Sequence, residues 1–87
     1  MKTVIFLTAD KIRNRIEECV SMLAFEYKGK EGNVDPYYIP EHKRKEYLIF
    51  FDGYEETVYD IETVMNTPFI DGKSLNEIAD KLVITEW

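Results

Sequence analysis

The sequence predicts a small α+β domain: a largely antiparallel sheet of three to four strands, packed against one long helix and one or two short ones. Three observations lead there. The chain has 87 residues, and chains below about 150 residues seldom divide into two cores, so residues 1–87 read as a single domain. Hydrophobic residues make up 45% of it and aromatics 14%, a composition that can fill a core and is foreign to disordered chains. Apolar residues recur at helical spacing early in the chain and form continuous, strand-like runs later.

Lys2 to Leu7 is rich in β-branched and aromatic residues and reads as a short strand. Thr8 is a helix N-cap, with Asp10 in the first turn where the helix dipole favours an acid. Ile12, Ile16, Cys19, Val20, Leu23 and Tyr27 then follow at helical spacing. The expected helix therefore runs from Ala9 to Tyr27 with Gly29 just past its end, and this stripe faces the core. Phe25 falls nearly opposite the stripe, which marks it as an exposed aromatic and a candidate contact.

Lys28 to Lys45 carries Gly29, Gly32, Asn33, Pro36 and Pro40 and reads as an irregular loop, with Tyr37, Tyr38 and Ile39 docking as a short edge strand. Glu46 to Phe51 is the strongest strand signal. Its two apolar faces predict a central strand covered on both sides, or an oligomer contact. Asp52-Gly53 is a hairpin turn signal, with Tyr54 to Tyr59 returning. Tyr54, Val58, Ile61 and Met65 also fit one helical face, with Asp52 and Glu55 as its capping box. The return strand is preferred because Thr57, Val58 and Tyr59 favour strands. A helical turn over Asp60 to Asn66 ends at Thr67-Pro68. Ser74 to Glu77 is a capping box opening a stripe of Leu75, Ile78, Ala79 and Leu82. Val83 to Trp87 closes the sheet, with Val83, Thr85 and Trp87 on one face.

Eleven basic and seventeen acidic side chains give a net charge of −6. Their distribution is uneven: residues 1–45 hold nine basic and seven acidic side chains, residues 46–87 two and ten. That asymmetry steers a basic partner or keeps a small protein in solution. It also argues against direct nucleic-acid binding, although His42-Lys43-Arg44-Lys45 near Tyr37, Tyr38 and Tyr47 resembles a basic–aromatic surface. With no apolar run long enough to span a bilayer and no signal-peptide pattern, no membrane role and a cytoplasmic location are expected.

Candidate chemistry is sparse. Cys19 and His42 are the one thiol and the one imidazole, too few for a disulfide or a zinc site, and Cys19 lies on the apolar stripe. Gly72-Lys73-Ser74 resembles the end of a phosphate-binding loop, but Thr67 stands where its first glycine belongs. Asp52, Asp60 and Asp71 sit at turn and cap positions rather than in a catalytic pair. The expectation is no enzyme, no cofactor and no metal.

What remains is a non-catalytic interaction module that binds another protein. The residues expected to carry the contact are Glu55, Glu56, Asp60 and Glu62, with Tyr54 and Phe25 as aromatic anchors. Two further readings stand beside it. One is a phage or mobile-element inhibitor that mimics nucleic acid against a DNA- or RNA-binding enzyme, of the anti-restriction or anti-CRISPR type. It requires carboxylates grouped on one ridge. The other is a structural homodimer joined through the Glu46–Phe51 strand or Trp87.

Overall fold

The computed structural model describes residues 7–87, so the strand expected over Lys2 to Leu7 lies outside them except for Leu7, which is buried. Thr8 caps the first helix, α1 (Ala9–Glu18), its hydroxyl accepting from the Lys11 amide at 3.2 Å. The helix stops nine residues before the expected end at Tyr27, because Cys19 is already extended. One side chain from elsewhere meets its carboxyl end. Lys45 donates to the Ile16 and Glu17 carbonyls, each at 2.7 Å, and its ammonium titrates below the ordinary value because burial disfavours the charge. Arg15, itself buried, donates to the carbonyls of Ser21, Met22 and Trp87, tying the chain just past α1 to its last residue.

Leu23–Tyr27 is strand β1 and not helix. Leu23 and Tyr27 are four apart, a spacing that suits one helix face and one strand face equally. Phe25 decides between them: it lies off the helical stripe, yet in a strand it joins Leu23 and Tyr27, and it is 1% exposed. The expectation that Phe25 contacts a partner is therefore corrected, since Phe25 is part of the core. Val20, placed on the core stripe by helical spacing, is exposed, and Cys19 is half-buried at the helix end.

The stretch read as an irregular loop is instead a hairpin and a long strand, β2 (Lys30–Ile39). Lys28 and Gly29 have φ of 51° and 79°, the two positive values of a tight hairpin turn, and Tyr27 pairs with Lys30 across it. Pro36 sits within β2, where a missing amide should break a ladder. Its register resolves this. Tyr27 and Lys30 close the turn, so the amides of even-numbered β2 residues point toward β1, and β1 ends opposite Val34. The amide Pro36 lacks thus faces a side where no strand continues.

Residues 40–43 turn the chain into β3 (Arg44–Phe51), paired along β2. Asp52 and Gly53, with φ of 46° and 91°, turn it into β4 (Tyr54–Val58), so the hairpin reading holds over the helical one. Helix α2 (Ile61–Asn66), helix α3 (Leu75–Ile78), a 3₁₀ turn over Ala79–Lys81 and strand β5 (Val83–Glu86) complete the chain. Ser74 and Glu77 form the expected capping box. The described residues thus make an α+β fold with one antiparallel sheet of five strands in the order β4-β3-β2-β1-β5. The three to four strands expected become five because a predicted helix end and loop are strands.

One core lies between this sheet and the helices. Ile12 and Ile16 of α1, Val64 and Met65 of α2, and Leu75 and Ile78 of α3 meet Leu23, Phe25, Val34, Tyr47, Ile49, Phe51 and Val58 of the sheet. These strand residues alternate along their strands, so they share one face. Every helix therefore covers the same side.

Candidate interaction face

The opposite face follows from the same register. It presents Ala24 and Glu26 of β1, the odd-numbered residues of β2 from Glu31 to Ile39, and Arg44, Glu46, Leu48 and Phe50 of β3. Glu55 and Thr57 of β4 stand opposite Phe50 and Leu48, and Glu86 of β5 opposite Ala24. An antiparallel sheet with one solvated face ordinarily turns polar side chains to water. Here the face carries apolar side chains among the polar ones: Tyr37, Ile39, Leu48 and Phe50 are half-buried, and no helix among the described residues lies over them.

Among these apolar side chains stand Glu26, Glu31, Asp35, Glu55 and Glu86, and no salt bridge among the described residues engages them. Arg44 is the one Lys or Arg at the strand positions of this face. It is already held, 3.5 Å from the Glu46 carboxylate and 4.9 Å from the Tyr59 ring. Glu46 is itself buried and also lies 3.0 Å from His42 Nδ1.

The residues expected to form the contact do not come together as one ridge. Glu55 points to the helix-free face, whereas Tyr54 and Glu56 lie on the other side of β4, opposite Phe51 and Ile49. The Tyr54 hydroxyl donates to Glu56 at 2.6 Å, which holds the phenol above its ordinary pKa. Asp60 is the N-cap of α2. Its carboxylate accepts from the Thr63 amide at 2.7 Å and from the Thr63 hydroxyl, and these bonds depress its pKa. Glu62 is ion-paired with Arg13 of α1. Arg13 titrates above its ordinary value even though desolvation pulls it down, because Glu62 and Glu17 favour the cation. Asp60 and Glu62 are thus occupied within the fold.

The apolar face was half legible in the sequence. The run Tyr47 to Phe51 announced a strand with two apolar faces, but Tyr37 and the acids join it only through the β2–β3 register. A groove of about 1230 Å³ lies between α1 and β5, lined by Lys11, Asn14, Glu18, Cys19 and Trp87 and reaching Glu26 and Glu86 at the edge of this face. Arg15 at its floor is committed to the carbonyls named above. Among the described residues, no group of three His, Cys, Asp or Glu side chains is placed to hold a metal ion. Gly72 belongs to a tight turn in which Ile70 and Lys73 exchange backbone bonds at 2.9 Å, and Ser74 serves as the cap of α3. No protein-family model, no curated protein and no solved structure matches this chain.

Proposed function

We propose that this protein is a non-catalytic interaction module that binds another protein, one with a basic surface, through the helix-free face of its sheet. The observation that carries the reading is the set of apolar side chains on that face, over which no described helix lies, set among carboxylates that no ion pair among the described residues engages. An apolar patch rimmed by polar groups is how interaction surfaces differ from ordinary solvated faces. The apolar part supplies contact energy on desolvation, and the acids steer approach and exclude acidic competitors. Glu55 on the edge strand β4 belongs to the margin of this surface, whereas Tyr54 and Glu56 point to the other side of that strand.

The nucleic-acid-mimic reading draws on the same carboxylates. A phosphate backbone offers no counterpart to Leu48 and Phe50, so these apolar side chains favour a protein contact beyond charge mimicry. The homodimer reading has the apolar face in its favour and the like charges around it against it.

The test is affinity capture from the native cell with three baits: the wild type, Leu48→Ser with Phe50→Ser, and Glu55→Gln with Asp35→Asn. Folding of each bait is checked by its thermal transition. A partner lost with the first variant and reduced with the second supports the reading. A partner retained by both overturns it.

A further inference from the structure

We infer that the helix-free face receives a cationic amphipathic helix of the partner protein, laid along β2 and β3 with its Lys/Arg-rich end over Glu26, Glu31 and Glu55. This rests on the interaction reading above and adds to it the form and direction of the occupant.

The face is not uniform along its strands. At the end nearest the two tight turns, Glu26 of β1 stands directly opposite Glu31 of β2. Since Tyr27 and Lys30 close the hairpin, Glu26 and Glu31 occupy the next, non-bonded position, where cross-strand side chains come closest. Like charges placed so repel each other, and no ion pair among the described residues neutralises either one. Glu55, level with Phe50 on the edge strand β4, and Asp35, opposite Leu48, carry the negative charge on from this end along the face. At the far end the face closes on Arg44, with Glu46 and His42 beside it. Between the two ends lie Phe50 and Leu48 of β3, with Asn33 and Asp35 of β2 directly opposite them, and Tyr37 follows level with Glu46. A ligand that satisfies all three zones is apolar along one side and cationic at one end.

A helix fits this better than the alternatives. The other side of the same sheet is already covered by helices, and a helix laid along a strand pair matches the length on offer. Arg44 to Phe50 spans about 20 Å at ~3.4 Å per residue, or roughly four helical turns. A second copy of this chain would bring its own Glu26, Glu31 and Glu55 to a face whose one strand-position cation, Arg44, is already paired with Glu46, between molecules of charge −6. Nucleic acid is repelled by the same carboxylates.

The experiment uses isotope-labelled full-length protein and a synthetic peptide of about 15 residues. The peptide carries a leucine stripe along one helical side, lysines in its N-terminal half only and a nitroxide at the lysine end. The expected result is saturable shifts of the Tyr37, Leu48 and Phe50 amides, with paramagnetic broadening at Glu26 and Glu31. The Glu26→Gln/Glu31→Gln variant should bind about tenfold more weakly in low salt. Broadening centred on Arg44, or unchanged affinity in that variant, overturns the direction proposed and leaves the interaction face standing. Absence of saturable shifts, or shifts confined to α1, overturns both. Self-association of the protein, seen as a concentration-dependent mass, would replace the partner helix by a second copy.

Discussion

Gly32 occupies a position where the fold tolerates no side chain at all. It pairs with Phe25 on one side and Phe51 on the other, and the two rings stack across it with centroids 6.4 Å apart. A Cβ built there would stand 2.6 Å from the Phe25 ring and 2.9 Å from Phe51. Gly32→Ala should therefore destabilise the protein by about 1–3 kcal/mol through overpacking, measured by chemical denaturation. Phe25→Ala acts at the same place by leaving a cavity and should cost roughly 3–5 kcal/mol. A loss below 1 kcal/mol would return Phe25 to the surface, where helical spacing had put it. Glu26 and Glu31 make the opposite case. Removing one charge, as in Glu26→Gln, should stabilise the free protein by roughly 0.2–1 kcal/mol, a gain that shrinks as salt screens the pair.

At the scale of elements, the sequence identified those with a local chemical signature. Thr8, Asp60 and Ser74 are N-caps as their positions implied, and Asp52-Gly53 turns the β3–β4 hairpin. What stayed hidden depends on partners distant in sequence. The end of α1 is fixed by Lys45, 28 residues beyond Glu17, and nothing local announces that arrival. The β1–β2 turn uses Lys28 in the left-handed region, where asparagine or aspartate is the recognisable choice, so the hairpin carries no local turn signature. Pro36 has the same effect, because only the register shows that its missing amide lies beyond the end of β1 pairing. Replacing Lys45 by methionine keeps the buried stem but withdraws two hydrogen bonds. It should cost about 1–2 kcal/mol and expose the Ile16–Cys19 amides to faster hydrogen exchange. The α2 cap adds a pH dependence with a definite sign. The Asp60 carboxyl lies below its unfolded value of 3.8, so its contribution is present above that pH and is lost as pH falls through the folded value. Asp60→Asn should keep α2 capped and remove this acid-dependent loss, read from stability curves at stepped pH.

At the scale of the molecule, the central fact is one sheet with one cover. The apolar run Tyr47–Phe51 favours burial on both sides, and the helices among the described residues all lie on the side of Tyr47, Ile49 and Phe51. That imbalance was readable from the strand itself. The face it belongs to was not, since Tyr37, Glu26, Glu31 and Glu55 reach it from separate strands. Charge asymmetry along the chain likewise pointed to the acidic second half, yet Asp60 and Glu62 are consumed by a cap and an ion pair. The acids on the open face come partly from the first half.

The most direct measurement places a photo-crosslinking amino acid at Phe50, on the open face, or at Asn14, on the exposed side of α1, and irradiates the native cell. A covalent adduct with another protein is expected from position 50, reduced by Glu26→Gln/Glu31→Gln, and none from position 14. An adduct from position 14 with none from position 50 would contradict binding through the open face.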